Sequence, residues 1–234
     1  MSSSLQPPSK LEDIITRYET QEPITGHRFL QRLRHEPVQL QHLWVLLANF
    51  QISISKNFAQ HLASIIVRVE DERVRSILAE QLNDELGRGK PERAHTQLFI
   101  AMMKQLAPWR PQEAQDDRML SAGRNLVPRL AEIYGASNVD EALGALMAGE
   151  VFGKQMDQFI GDEFRRQQEI SPESLEWLAL HEQLEVEHAE SSLDLARLLP
   201  KESLDAAWSG ASRLAHAGWG FLDDLYAIVY GAEA

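Results

Sequence analysis

Apolar residues return every three or four positions along almost the whole chain, the period of an α-helix with one buried face. Leu11 to Tyr18 reads as a short helix, Pro23 and Gly26 interrupt it, and His27 to Arg34 reads as a second. The longest periodic stretch is Val38 to Val69, where Leu43, Leu46, Leu47, Phe50, Ile54, Phe58, Leu62, Ile65 and Val69 mark one face. A helix over Glu72 to Leu86 stops at Gly87 and Gly89. Pro91 suits the first turn of the next, which runs to Leu106. Pro108-Trp109-Arg110-Pro111 is a loop, and Ala114 to Tyr134 a helix bent at Pro128. Asn138 is an N-cap, with Glu141 in capping-box position, for a helix reaching Gln167. Ser171-Pro172-Glu173 combines a cap, a first-turn proline and an acid at the positive helix end, and starts a helix that ends before Pro200. The last helix covers Glu202 to Tyr230. There is no hairpin signal, no sustained alternation, no internal repeat and no long linker. The expected fold class is all-α, one helical domain over residues 1–234 with a flexible tail at 1–10.

Composition narrows the functions. An apolar fraction of 44% and a charged fraction of 25% are those of a soluble globular chain. The net charge of −12 argues against a nucleic-acid or anionic-membrane partner, since both need clustered positive charge. No apolar run approaches the roughly 20 residues of a membrane span. The first ten residues lack the apolar core of a secretory signal, so the expected compartment is the cytoplasm. With no cysteine there is no disulfide, thiolate metal site or cysteine nucleophile.

Chemistry enters at His181, Glu185 and His188. Positions i, i+4 and i+7 lie within about 60° of one another around a helix, so the three share one face. Imidazole and carboxylate suit iron, manganese or zinc. A solvated, charged face is the competing reading, because Glu182, Glu187 and Glu190 stand nearby. Glu85 and His95 flank a glycine-rich reversal and can approach one point from two helix ends. A carboxylate near a helix C-terminus, as at Glu85, wants a cationic partner. Glu150 is a single acid among apolar and small residues, costly on a core-facing stripe unless paired or metal-bound. The alternative for it is an ion pair with Lys154 at i+4. Glu85, His95, Glu150, His181, Glu185 and His188 together offer three carboxylates and three imidazoles. That is too many for one open catalytic metal and suits two.

At these residues the chain resembles the haem-oxygenase-like di-iron oxidase and oxygenase family, often called iron-containing redox enzymes. The likeness rests on Asp84-Glu85-Leu86-Gly87 followed by His95, on the lone Glu150, and on His181-x3-Glu185-x2-His188, and it spans Phe29 to Tyr226. The resemblance implies a haem-oxygenase-like bundle of about seven main helices, with all six residues as ligands of two irons, or of manganese. It implies a non-haem oxidase or oxygenase that activates O2 on a small amine, amino-acid or fatty-acid-like substrate. An external electron donor and a homodimer are compatible with it. One branch of the family makes a p-aminobenzoate precursor from its own side chains, using a Tyr before the middle Glu and a Lys ten residues after it. Gly149 and Ile160 stand there in this chain, which argues against that chemistry. Related thiaminase-type proteins use a cysteine that this chain lacks. Haem oxygenases need an axial histidine near the N-terminus; His27 has the position, but also that of a helix start.

Two rivals remain at this level. Glu92-x2-His95 and Glu185-x2-His188 also fit a ferritin-like di-iron carboxylate protein, which would use Glu92 and leave His181 idle. A metal-free interaction module on the same fold is the other. The expected cavity wall comprises Leu146, Met147, Phe152 and residues of the Val38 to Val69 segment, with Trp208, Trp219, Phe221 and Tyr226 in the core.

Overall fold

The computed structural model describes residues 8–36, 39–115, 117–166 and 175–231, without the side chains of 114, 115 and 182–190. Among the described residues there are ten α-helices and no strand. They are α1 (Glu12–Thr16), α2 (Arg28–His35), α3 (Leu40–Phe50), α4 (Phe58–Ile66), α5 (Glu72–Glu85), α6 (His95–Gln105), α7 (Ser121–Tyr134), α8 (Val139–Arg165), α9 (Glu176–Leu198) and α10 (Leu204–Tyr230). Seven of them, α3 and α5 to α10, have eleven residues or more. No described helix is long and apolar enough to cross a membrane.

The long helix α8 is the spine, packed against α10, α9 and α7. Sequence explains the closeness of its crossing with α10. A Cβ on Gly144 would lie 1.9 Å from the Ala207 carbonyl oxygen, and one on Gly210 would lie 1.8 Å from that of Glu141. Only glycine lets the two backbones meet this way. Asn138 caps α8 as expected, accepting from the Asp140 amide at 2.9 Å. Glu141 does not complete the capping box; its carboxylate takes Arg213 of α10 at 3.2 Å.

Three expectations change. The Val38 to Val69 segment is not one helix. A π-helical turn, Gln51–Ser55, separates α3 from α4, and the Lys56 amide reaches back five residues to the Gln51 carbonyl at 3.2 Å. The apolar period alone cannot show such an insertion, because it shifts the buried face by less than one position per turn. Pro91 opens a 3₁₀ turn, Pro91–Arg93, and α6 begins only at His95. Ala114 to Tyr134 begins as two 3₁₀ turns, with α7 following from Ser121 and carrying Pro128 inside it. The Ser171-Pro172-Glu173 helix start lies outside the described residues, although α9 follows it.

Buried polar groups tie these elements together. Asn49, fully buried on α3, donates to the carbonyls of Val45 and Met119 at 2.8 and 2.9 Å and accepts from the Gly123 amide at 2.8 Å. Arg68, just after α4, donates to the carbonyls of Tyr134 and Ala136 at the end of α7. The Thr96 hydroxyl of α6 holds the Ser55 carbonyl at 2.6 Å, fixing the π turn against the start of α6.

Candidate metal centre

The chain reversal between α5 and α6 is set by glycine. Gly87 and Gly89 have φ of +82° and +80°, and Arg88 between them has +52°. The Arg88 amide closes onto the Asn83 carbonyl at 2.8 Å, as in a Schellman-type helix end. A Cβ on Gly87 would lie 2.3 Å from the Lys90 oxygen and 2.6 Å from the Ala94 nitrogen. The turn thus brings the last residue of α5, Glu85, against the first of α6, His95. The His95 Nδ1 to Glu85 Oε1 distance is 3.0 Å. His95 is 4% exposed, and Glu85 is half-buried.

From α9, His181 lies 4.6 Å from His95 between ring centroids. Glu85, His95 and His181 each offer a ligand atom, and the three atoms lie within 4.8 Å of one another, a grouping able to hold a metal ion. Two ligands at about 2.1 Å from a shared ion, at right angles, stand about 3 Å apart, which is the separation of Glu85 and His95. The side chain of His181 is oriented from within its own helix. Its Nδ1 donates to the Trp177 carbonyl at 2.8 Å, which leaves Nε2 carrying the lone pair. Trp177 is itself wedged edge-on against Phe99 at 4.8 Å and Phe50 at 6.4 Å, so α9 enters the site at a fixed register.

Glu150 faces the same cavity from the middle of α8. Its Oε1 accepts from Gln81 Nε2 at 2.6 Å, and Gln81 sits one turn before Glu85 on α5. The ion pair with Lys154 is not formed: the Lys154 Nζ lies 3.9 Å from Glu19 instead. Burial, and after it the Glu150 carboxylate, push the Tyr134 phenol well above its ordinary value, a sign of how near the two stand. The side chains of Glu185 and His188 lie outside the described residues, so of the six candidate ligands four are seen. Three of these form the cluster, and the fourth lies on the same cavity wall.

The cavity beside these groups holds about 160 Å³. Its apolar wall includes Phe50, Ile54, Phe58, Phe152, Met156 and Phe221. Phe152 and the segment after Val38 are where they were expected, but Leu146 and Met147 are not. Both are fully buried and are not among the residues that line the cavity. Phe221 is both core and wall. Sequence reasoning missed Gln81, Tyr134, Asp157 and Trp177, and covered Ser55 and His61 only through the Val38 to Val69 segment, without singling them out. For Gln81 and Asp157 a signal exists: one lies four residues before Glu85, the other seven after Glu150, each on its partner's helix face. The others had no signal, since a lone His or Ser in an amphipathic helix is common.

Glu92 is exposed in its 3₁₀ turn and is not part of the cluster, whereas His181 is. Both facts go against the ferritin-like arrangement. His27 does not fit an axial ligand. It is the N-cap of α2, its Nδ1 accepting from the Phe29 amide at 3.1 Å, and its Nε2 lies 3.3 Å from Asp223.

Comparison with known proteins agrees with this picture. No curated protein matches the chain. Two crystal structures of a CADD-like protein of unknown function from Nostoc punctiforme are similar to it. One superposes with a TM-score of 0.74 at 16% identity, over 92% of this chain and 95% of that one; the other gives 0.73 at 15%, over 96% and 97%. A domain of unknown function with a haem-oxygenase-like fold from Shewanella denitrificans gives 0.65 at 15%, over 95% and 93%. At such identities the likeness establishes the fold, which is haem-oxygenase-like. The sequence profile of the iron-containing redox enzymes matches residues 51–219, which hold every candidate ligand. This chain therefore belongs to the iron-containing redox enzyme family.

Proposed function

We propose that the protein is a non-haem di-iron oxidoreductase that activates O2 on a small organic molecule bound in the cavity. The observation that carries this reading is the convergence of Glu85, His95 and His181 on one point at the edge of a largely apolar cavity. Mixed imidazole and carboxylate donors are what a non-haem iron site requires. Glu150, Glu185 and His188 complete a second iron position in this proposal, as the family resemblance implies. Bound iron supplies the electrons and the open positions that O2 needs.

The chain's own residues do the rest. The Trp177 carbonyl fixes the tautomer of His181, and Gln81 holds the Glu150 carboxylate in a single orientation. The Phe50, Phe99 and Trp177 cluster walls off the site behind His181, which limits water around it. Phe152, Met156 and Phe221 offer an apolar surface on which a substrate carbon is held near the donor cluster.

The test is anaerobic loading with Fe(II), followed by metal analysis and oxygen-uptake measurement. About two irons per chain and uptake that depends on them are expected. One iron per chain removes the second position, and iron without oxygen uptake removes the activity. A metal-free module is favoured by one feature, the direct Glu85–His95 contact, which satisfies both groups without an ion. Less than one iron per chain would select that reading.

A further inference from the structure

The wall of the cavity built by the π turn and α4 contains polar groups with no evident structural role. Ser55 Oγ and His61 Nε2 are buried, and neither has a hydrogen-bond partner among the described residues. Both residues line the cavity. Leaving such a group unpaired costs about 1–3 kcal/mol, and an unpaired group in a native fold calls for an explanation. Packing does not supply it at Ser55, where alanine would fill nearly the same space without the unpaired oxygen. The π turn that carries Ser55 is a device that recurs at functional sites. The Ser55 backbone is anchored by Thr96, next to His95, which holds this residue beside the candidate metal site.

The character of the missing partner follows from the charges around it. Burial alone holds the His61 imidazole below its ordinary pKa, so it is neutral near pH 7. It stacks on Tyr134 at 5.1 Å. Among the described residues no Lys or Arg lines the cavity, while Glu85, Glu150 and Asp157 do. A carboxylate or phosphate would find no fixed cation, and a neutral imidazole with a hydroxyl offers none. Two neutral groups able to donate and accept suit an uncharged polar group. A water-accessible space of about 160 Å³ is close to that of an engineered cavity that takes benzene.

We propose that Ser55 and His61 form a subsite for the uncharged polar end, a hydroxyl or carboxamide, of a small and otherwise apolar substrate whose carbon body extends towards Glu85, His95 and His181. This deepens the reading given under Proposed function and rests on it for the word substrate; the binding itself needs no iron.

The experiment compares four six-carbon probes, hexanamide, 1-hexanol, hexanoate and hexylammonium, against metal-free protein near neutral pH. Binding is read by thermal shift and by tryptophan fluorescence, since Trp177 lines the same cavity. Hexanamide and 1-hexanol should bind at least tenfold more tightly than hexanoate, whereas hexylammonium, drawn by Glu85, Glu150 and Asp157, should bind equally to the unmodified protein and to the variants at Ser55 and His61. Ser55→Ala and His61→Phe should each weaken hexanamide about two- to tenfold, the worth of one hydrogen bond, and leave Fe(II) affinity unchanged. Unliganded Ser55→Ala should melt at the same temperature or higher, because it removes an unpaired group. Equal or tighter binding of hexanoate, hexylammonium affinity that falls with hexanamide affinity in the variants, unchanged hexanamide affinity in both variants, a lower melting temperature for Ser55→Ala, or no binding by any probe would each overturn the proposal. Failure here with two irons still bound leaves the oxidoreductase reading standing; success here with no iron bound does the reverse.

Discussion

The two sides of the cavity are finished to different degrees. Around the candidate metal site the described side chains are already engaged: Glu85 with His95, His181 with the Trp177 carbonyl, Glu150 with Gln81. On the same cavity's wall, Ser55 Oγ and His61 Nε2 wait for a partner among the described residues. The first pattern is that of groups held for a ligand of fixed geometry, where a misplacement of 1 Å is expensive. The second is that of a surface tuned to something absent from the chain. Rigidity on one side and open valence on the other are what a site needs when one ligand stays and the other comes and goes.

The sharpest way to break the comparison is to remove a cluster imidazole. His95→Ala and His181→Ala should each weaken Fe(II) binding by more than 100-fold, beyond the 10–100-fold typical of outer groups, while hexanamide binding changes little. Equilibrium iron titration reads the first and thermal shift the second. Loss of both together would mean that the two sides are one packing unit.

Next comes the turn that makes the cluster. Gly87→Ala puts a Cβ into a left-handed residue and against the Lys90 oxygen. It should cost about 3 kcal/mol of stability, from backbone strain and steric displacement together, and displace His95 from Glu85. Chemical denaturation and iron titration should report both losses. Full iron affinity in a destabilised variant would show that the turn serves folding alone.

Gln81→Ala is milder. It removes a hydrogen bond to Glu150 without touching the cluster, so iron affinity should fall by about 10-fold or more, with the effect largest for the more weakly held ion. Metal analysis at limiting Fe(II) would show occupancy dropping towards one per chain. Unchanged occupancy would place Glu150 outside the coordination.

How much of this was legible depends on how local the cause is. Helix ends were readable where a cap or a glycine fixes them, as at Asn138 and Gly87. The convergence of Glu85 and His95 followed from the turn between them, and His181 from its spacing on one helix face. The π turn at Gln51–Ser55 was not readable, since its sequence is ordinary and tertiary packing selects it. That omission hid Ser55 and His61, whose direction depends on the turn. Leu146 and Met147 were misassigned for a related reason: periodicity says which residues are buried, but not whether a neighbouring helix or a cavity covers them. Gln81 shares the helix face of Glu85 by spacing, but its bond to Glu150, 69 residues away, and the burial of Tyr134 are not encoded in spacing.

Acid should act on stability through the buried histidines. Burial holds His27, His42 and His61 below the ordinary histidine pKa. In that case the unfolded chain binds protons more readily than the folded one, so the stability is present above about pH 6.5 and is lost as pH falls below it. Glu163 has its pKa raised, again mainly by burial, and works in the opposite sense at lower pH. Melting temperature should therefore decline from neutral pH to pH 5, and His61→Phe should flatten part of that slope. A slope unchanged in His61→Phe would mean that His61 protonates as freely in the fold as outside it, and the neutral side of the cavity would lose its basis.

The smallest expected effect separates two architectures. Glu92 stands three residues before His95, the spacing that a ferritin-like site uses for two ligands on one helix. Here Pro91 starts a 3₁₀ turn, α6 begins at His95, and Glu92 is exposed and not part of the cluster. Glu92→Ala should leave iron content, oxygen uptake and melting temperature at the values of the unmodified protein. His181→Ala, measured beside it, should lose iron. The ferritin-like arrangement predicts the reverse of both results. The pair therefore reads out whether His181 or Glu92 completes the site around His95.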